Sequence, residues 1–254
     1  MTSPVNRIKS WLKEQPEIYD RVRPLQRAFS KTEAYKYLDA LSRFNESPLS
    51  FIQIGANDGL RNDPIREFIV RDEWNGVLVE PLPDVFAKLI ENYSARRFSR
   101  LHFENVAVSH RDDEVLEFWT YKESFLQALS AEQRLYYLRK SSFDRDHLLQ
   151  FLEGEAEAAG ALQKIDVPCT SVTELALRHF PDGVFDLLVI DAEGHEQVIL
   201  ESLDFNRVRP KVIFFESEHL EKHNGSSLRK LHEAGYRVRK LSGQDSVAES
   251  IDRI

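Results

Sequence analysis

The amino-acid sequence predicts an α/β fold built on a mostly parallel β-sheet. Short apolar runs end in glycine or acidic residues and alternate with stretches of helical periodicity, as in a chain of β-α units. The clearest strands are LSFIQIG at 49–55, GVLVE at 76–80 and FDLLVID at 185–191. The last run is apolar almost throughout, which is typical of a strand that helices cover on both faces.

The composition is that of a globular protein and disfavours several partners. Hydrophobic residues make up 42% and charged residues 30% of the 254 residues, enough for a full core. The net charge of -8 disfavours nucleic acid. No apolar run approaches the ~18 residues of an integral membrane segment. Cys169 is the single cysteine, and the N-terminus has no secretory pattern, so we expect a cytoplasmic protein.

We expect an N-terminal helical extension at 1–47 and one large domain at 48–254. Exposed apolar positions on the first two helices are compatible with a homodimer. Within the domain, residues at about 121–165 interrupt the β-α alternation with two helical runs, which is too long for an ordinary crossover. We interpret this helical insertion as a lid over the substrate, with Ser141 and Ser142 presenting hydroxyls; a stabilising helical hairpin is the alternative.

The other elements follow from local signals. Proline and acidic residues at 63–64 and 83–84 favour helix starts after the first two strands. Ser171 and Glu174 predict a capped helix before the strand at 185–190. The remaining predicted strands are 101–109, a short strand beside it at 115–119, 211–215, and a final antiparallel pair at 236–241 and 247–251.

The turn after the first strand predicts a ligand crevice. Gly55, Asn57, Asp58 and Gly59 follow the apolar run directly, and glycine allows a close approach between backbone and ligand. A simple turn is the alternative. Glu80 ends the next strand 21 positions after Gly59, close to the ~20-residue spacing at which a doubly wound fold places a carboxylate against ribose hydroxyls. Glu80 is therefore predicted to bind a nucleoside.

Two later strands end in a concentration of ionisable residues. Because the carboxyl ends of parallel strands form the ligand-binding edge of an open α/β sheet, these side chains are predicted to meet there. They are Asp191, Glu193, His195 and Glu196 after one strand, and Glu216, Glu218 and His219 after the next.

From about Phe51 to Phe215 the chain resembles the FkbM family of S-adenosylmethionine-dependent methyltransferases. The motifs that carry the resemblance are IGANDG at 54–59, VEP at 79–81, NVAVS at 105–109 and IDAEGHE at 190–196. The resemblance implies a seven-stranded class I methyltransferase sheet, which is Rossmann-like.

The resemblance also implies roles for individual residues. Gly55 and Asn57 would lie along the methionine part of S-adenosylmethionine, and Glu80 on its ribose. Asn105 and Ala107 would lie near the adenine, and Asp191 beside the transferred methyl. Gln53 stands where family members often have an acid, a role that Asp58 could take over.

The activity implied by the resemblance is O-methylation of a hydroxyl on a small-molecule or glycan substrate, such as a sugar or another polyhydroxylated metabolite. A sugar hydroxyl is a poor acid, so a base is needed, and His195, with an unperturbed pKa near 6.5, is the first choice. His219 is the second choice, and Asp191 would orient the base or the hydroxyl. Glu193 and Glu218 would contact the substrate.

Three alternatives stay open. Mg²⁺ could bind at the strand ends and lower the pKa of a hydroxyl, with ligands from Asp191, Glu193, Glu216, Glu218 and His219. An NAD-dependent oxidoreductase would also use the glycine turn, although GANDG lacks the third glycine of GxGxxG. A non-catalytic module could keep the fold and bind a partner through the N-terminal helices.

Overall fold

The computed structural model describes residues 15–27, 32–95, 98–152, 160–217 and 225–251. Ten strands and ten helices lie within these ranges. The strands are β1 Ser50–Ile54, β2 Asn75–Val79, β3 Leu101–Glu104, β4 Ala107–Ser109, β5 Glu114–Tyr121, β6 Leu162–Ser171, β7 Val184–Ile190, β8 Arg209–Glu216, β9 Tyr236–Lys240 and β10 Asp245–Ser250. The helices are α1 Pro16–Arg27, α2 Glu33–Phe44, α3 Arg66–Arg71, α4 Pro83–Asn92, α5 Glu123–Leu126, α6 Ala131–Leu138, α7 Arg145–Leu149, α8 Val172–His179, α9 Glu196–Ser202 and α10 Ser226–Glu233.

The main sheet has seven strands in the order β3-β2-β1-β7-β8-β10-β9. Every pairing is parallel except the two made by β10, which runs antiparallel to both of its neighbours. This is the strand order of class I methyltransferases, so the predicted fold class is confirmed. The order reverses between β1 and β7, and ligands bind at such a switch point in open α/β sheets.

The strand register aligns the functional residues at one edge. Ile54 pairs with Val79 on one side and with Ile190 on the other, and Ile190 pairs in turn with Phe215. The residues directly after these four paired positions are therefore neighbours across the sheet: Glu80, Gly55, Asp191 and Glu216. Four positions that are far apart in sequence thus form one row.

Helices cover both faces of the main sheet, which explains its apolar strands. On one face, Ile52, Leu188 and Ile213 pack with side chains of α8, α9 and α10. On the other face, Phe51 and Val189 pack with side chains of α2, α3 and α4. Burial of apolar surface on both faces is the main stabilising term for such a layer. No described helix has both the length and the apolar character that crossing a membrane requires.

A second sheet of three strands, β4-β6-β5, corrects two predictions. The strand predicted at 101–109 is two strands in different sheets, because the chain leaves the main sheet after Glu104 and Asn105 bonds to the backbone after β2. The short strand predicted beside it pairs instead with β6. We did not predict β6, whose sequence LQKIDVPCTS mixes charged residues and a proline.

The region predicted as a helical insertion contains α5, α6 and α7 and returns to the domain through β6. It has an apolar core of its own, in which Phe118, Tyr121 and Leu138 pack with Leu82 and Val85 at the edge of the main sheet. The insertion is therefore attached to the carboxyl end of β2, beside the predicted ligand crevice.

Candidate active site

The turn after β1 has a backbone that only glycine fits. Gly55 has φ +77°, and a Cβ atom there would lie 1.8 Å from the carbonyl oxygen of Asp191. Its backbone N–H donates to the carbonyl of Val79 at 3.1 Å, while the N–H of Asp191 donates to the carbonyl of Ile54 at 3.1 Å. The turn is thus bonded to the strands on both sides, and β1 and β7 meet in direct backbone contact.

Asn57, Asp58 and Gly59 have different roles within this turn. Asn57 has φ +55° and lines the cleft described below. Asp58 is buried and accepts hydrogen bonds from the backbone of Leu60 and from the Arg61 side chain, at 3.0 and 2.7 Å. A Cβ on Gly59 would lie 2.5 Å from Leu89 and from Tyr93. Asp58 and Gly59 therefore stabilise the turn through contacts inside the domain and do not line the cleft.

Glu80 lies beside this turn and is almost completely buried. Its carboxylate accepts hydrogen bonds from the backbone N–H groups of Asn57 at 3.1 Å and Leu82 at 3.0 Å. Burial raises the pKa of Glu80 to about 7, although the two N–H donors oppose the rise. The carboxylate is fixed in position and keeps further lone pairs for a ligand.

A cleft lies over the turn, between the main sheet and the insertion; we call it the first cleft. It has about 630 Å³ of empty space, part of which is open to solvent. Ala107 lines it, whereas Asn105 stands behind it, donating to the carbonyls of Glu80 at 2.8 Å and Pro81 at 3.0 Å. The other lining residues include Leu82, Val85, Val106, Val108, Phe118, Leu138, Arg139, Ser141, Phe143, Asp191, Glu193 and His195.

Residues 191–196, which we call the acidic loop, lead from β7 into α9. Three of them, Asp191, Glu193 and His195, line the first cleft. Burial, followed by the negative charge of Glu193, raises the pKa of Asp191 to about 6. Glu196 is fully buried and accepts hydrogen bonds from the backbone N–H groups of Ala192 at 2.8 Å and Gly194 at 3.1 Å. Glu196 therefore holds the loop in shape from within.

His195, the predicted base, is a neutral imidazole in this site. Burial, assisted by the nearby His110, lowers its pKa to about 4. Its Nε2 atom lies 3.1 Å from the Ser109 hydroxyl, and its ring packs on Phe143 with centroids 4.5 Å apart. A pKa this far below the unperturbed value makes His195 a weaker base than the sequence suggested.

Glu193 ties the insertion to the acidic loop. Lys140 donates to both of its carboxylate oxygens at 2.8 Å, and His147 Nε2 lies 3.2 Å away. Burial opposes its ionisation, but the contacts with His147 and Lys140 lower its pKa overall. The Ser142 hydroxyl donates to the Glu193 carbonyl at 2.9 Å. We call these three contacts the latch.

The two serines predicted to bind substrate are engaged within the protein. Ser142 belongs to the latch, and its backbone forms a bridge with Trp119. Ser141 lines the first cleft, but its hydroxyl donates to Thr120 at 2.9 Å. The Ser142 oxygen already accepts a hydrogen bond from the Asp144 N–H at 3.2 Å, and each of the two hydroxyls keeps a lone pair that could accept one more.

A second cleft of about 990 Å³ opens on the α2 side of the same sheet edge. It shares Asp191, Glu193 and Arg139 with the first cleft, so the two clefts meet. Its lining is mostly polar. The polar lining residues are Thr32, Asn62, Arg139, Lys140, Asp191, Glu193, Glu216, Gln244 and Asp245.

Glu216 faces this second cleft among other carboxyl groups. Burial, followed by the negative charges of Asp191 and Glu196, raises its pKa to about 8. Carboxylate oxygens of Asp191, Glu196 and Glu216 lie within 4.8 Å of one another. The structure thus brings together two of the predicted metal ligands and adds Glu196, which we had not predicted in that role. Glu218 and His219 lie outside the described residues.

Sequence reasoning missed the cations of this site. Arg139, Lys140 and His147 all come from the insertion. Lys140 and His147 reach the acidic loop through contacts with Glu193, more than 40 positions away. Only the pair Arg139-Lys140 directly before the predicted serine turn could have suggested it, and a basic pair is common on any surface.

Most of the chain matches a known domain family. Residues 53–238, well over half of the chain, match the Methyltransferase FkbM domain. No curated protein sequence matches the chain significantly.

Solved structures with a similar fold include three methyltransferases. An FkbM methyltransferase from Methylobacillus flagellatus KT has 10% identity, 92% coverage of this chain, 50% coverage of its own chain and a TM-score of 0.48. A precorrin-6y C5,15-methyltransferase from Geobacter metallireducens GS-15 has 13% identity, coverage of 87% and 90%, and a TM-score of 0.43. A SAM-dependent methyltransferase from Aquifex aeolicus has 11% identity, coverage of 92% and 96%, and a TM-score of 0.39. The domain match establishes that this chain belongs to the FkbM methyltransferase family, which supports S-adenosylmethionine-dependent methyl transfer.

Proposed function

We propose that this protein is an O-methyltransferase that acts on a hydroxyl of a sugar, a glycan or another polyhydroxylated metabolite. The observation that carries the proposal is the meeting of two clefts at Asp191, one partly apolar and one polar. A methyl donor in the first cleft and an acceptor in the second would be in contact at that residue.

The residues of the first cleft fit S-adenosylmethionine. Gly55 lets the turn after β1 pass in contact with the Asp191 backbone, where a Cβ atom would clash, and both residues line the cleft. Glu80 is a fixed acceptor for the ribose hydroxyls, and Leu82, Val85 and Val106 offer an apolar surface for the adenine. When bound, the cofactor supplies a methyl group on a sulfonium, which is already a strong donor. The protein therefore needs mainly to position the acceptor and to accept its proton.

The lining of the second cleft fits an acceptor with several hydroxyls. Thr32, Asn62 and Gln244 offer neutral donors and acceptors, while Glu216 and Asp245 offer carboxyl groups. Sugar hydroxyls both donate and accept, so they can satisfy such a mixed set. An apolar acceptor would leave these polar groups without partners and would bind weakly.

We assign the proton-accepting role to Asp191. Asp191 lines both clefts, and its pKa of about 6 leaves it mostly ionised at neutral pH while making it a better base than an ordinary carboxylate. His195, with a pKa near 4, is assigned a positioning role through Ser109 and Phe143.

The carboxyl groups around Asp191 also leave a role for Mg²⁺ to be tested. Both carboxylate oxygens of Glu196 already accept hydrogen bonds from backbone N–H groups, which accounts for that buried acid without a metal. We therefore omit the metal from the proposal and include it as an arm of the experiment.

The experiment is a methyl-transfer assay with purified protein, S-adenosylmethionine and a panel of neutral sugars, uronic acids and polyols. Mass spectrometry would detect product heavier by one methyl group together with S-adenosylhomocysteine, with EDTA or Mg²⁺ present in parallel. We expect Asp191→Asn to lower kcat about 100-fold or more, and the exposed Asp166→Asn to leave it unchanged. The wild-type rate should fall below a pH of about 6 as Asp191 takes up a proton.

Two results would oppose the proposal. Methylation of nitrogen or carbon acceptors, with no hydroxyl acceptor in any arm, would exclude O-methylation. If EDTA abolishes the methyl-transfer rate and only Mg²⁺ restores it, a metal rather than Asp191 activates the hydroxyl.

A further inference from the structure

Arg139 occupies the junction of the two clefts. It follows α6 as its C-cap, with its backbone N–H donating to Leu135 at 3.1 Å, and it lines both the first and the second cleft. Neighbouring residues fix its place, because Lys140 and Ser142 bond to Glu193 and Ser141 bonds to Thr120. Arg139 is therefore presented to the site by a well-anchored segment.

The guanidinium of Arg139 is unsatisfied within the described part of the chain. Its Nε atom is buried without a hydrogen-bond partner, and the group forms no hydrogen bond or ion pair with any described residue. Arg66, which is fully buried, differs: it bonds to Asp20 at 2.7 Å and to the Gly59 carbonyl at 2.8 Å. Arg139 as a whole is partly exposed, but a buried N–H donor without a partner is costly, so such donors are usually bonded.

The positive charge of Arg139 interacts with two carboxyl groups of the site. Against the burial that raises both pKa values, the positive charge of Arg139 acts to lower the pKa of Glu80 and of Asp191. These carboxyls stand at the ends of β2 and β7, on either side of the Gly55 turn. The guanidinium is thus close to both acids and yet bonded to neither.

We infer that Arg139 is the anion-binding residue of the site and takes a carboxylate of a bound ligand. The inference rests on the proposed function and identifies a subsite within it. A guanidinium presents its N–H donors in a planar fork that matches a carboxylate bidentately. A dianionic phosphate would be repelled more strongly by the negative charges of Asp191 and Glu193 than a single carboxylate. The carboxylate belongs either to the amino-acid end of the methyl donor or to an acidic acceptor.

Calorimetric titrations separate these two sources. S-adenosylhomocysteine and 5′-methylthioadenosine, which lacks the amino-acid end, are titrated into wild type, Arg139→Gln and Arg139→Lys. D-glucuronate and D-glucose are then titrated into protein saturated with S-adenosylhomocysteine. The matched control is Arg134→Gln, since Arg134 lies on the same helix but forms an exposed ion pair with Glu123 at 2.7 Å. Thermal unfolding of each variant checks the fold.

If the carboxylate is that of the donor, Arg139→Gln binds S-adenosylhomocysteine at least about tenfold more weakly and 5′-methylthioadenosine unchanged. If it is that of the acceptor, nucleoside binding is unchanged and the binding of D-glucuronate seen with wild type is lost. In either case Arg139→Lys, which keeps the charge without the fork, is intermediate, and Arg134→Gln behaves as wild type.

The inference is overturned if Arg139→Gln changes none of these affinities, or if it weakens 5′-methylthioadenosine as much as S-adenosylhomocysteine, as a merely structural role would. Failure of the proposed function is distinguishable, because in that case the wild-type protein itself binds neither nucleoside.

Discussion

Gly55 shows how one residue couples the fold to the site. Its positive φ and its contact with the Asp191 carbonyl leave no space for a side chain. We expect Gly55→Ala to lower the free energy of unfolding by about 2 kcal/mol or more, because the backbone of β1 or of the acidic loop must move. Chemical denaturation measures this change directly.

The control for Gly55 is Gly243→Ala, at a glycine with ordinary φ and no atom within 4 Å of an added Cβ. That variant should be as stable as wild type within about 0.5 kcal/mol. Equal stability of the two variants would show that the contact between Gly55 and Asp191 does not constrain the turn.

A residue of the site could be predicted from the sequence when it followed a recognisable local pattern. Gly55, Glu80 and Asp191 each follow a recognisable strand, and the register places them in one row. Arg139 and His147 have no such signal, because their positions depend on how the insertion folds back. The lowered pKa of His195 could not be predicted from the sequence either, because it comes from burial and from the neighbouring His110.

The attachment of the insertion to the rest of the domain can be tested at the latch. Its latch consists of polar contacts around Glu193, from Lys140, His147 and Ser142. We expect Lys140→Met to loosen residues 123–149, because it leaves the buried Glu193 carboxylate with fewer partners. Hydrogen exchange measured by mass spectrometry should be faster there, while the main sheet stays protected.

The control for the latch is Lys88→Met, which removes an exposed ion pair with Glu91 and should leave exchange unchanged. Exchange in residues 123–149 that is identical in wild type and Lys140→Met would mean that the apolar core of the insertion alone holds it in place.

Strands that helices cover on both faces were easy to predict, because a nearly continuous apolar run bounded by turn residues is typical of a strand buried on both sides. The division of residues 101–109 between two sheets was not, since both halves have strand character and only the tertiary contact of Asn105 separates them. β6 was missed for a related reason. Its alternation of exposed charged and buried residues reflects a small sheet with one solvated face.

For the molecule as a whole, the crowded carboxyls predict a pH-dependent stability. The pKa values of Glu80 and Glu196 are raised to about 7 and that of Glu216 to about 8. Each holds its proton more tightly in the folded chain than in the unfolded chain, where the pKa is near 4.5. Folded-state stability is therefore lost as the pH rises from about 4.5 to about 8.

Between pH 6.5 and pH 8, where the opposite effect of His195 is small, the free energy of unfolding of the protein without ligand should fall by about 1 to 3 kcal/mol. The free energy of unfolding of Glu216→Gln should fall less over this range, whereas that of the exposed Glu233→Gln should fall as much as in wild type. Stability that rises with pH in the wild type would contradict the assignment of raised pKa values to these carboxyls.

For the whole molecule, we propose that the edge formed by β2, β1 and β7 binds S-adenosylmethionine, with Glu80 as its ribose ligand. The most direct test is calorimetric titration of wild type, Glu80→Gln and the exposed Glu46→Gln with S-adenosylmethionine, S-adenosylhomocysteine and NAD. We predict saturable binding of the first two ligands, weakened at least about tenfold in Glu80→Gln and unchanged in Glu46→Gln. Binding of NAD alone, or affinity for S-adenosylmethionine that does not depend on Glu80, would contradict the claim.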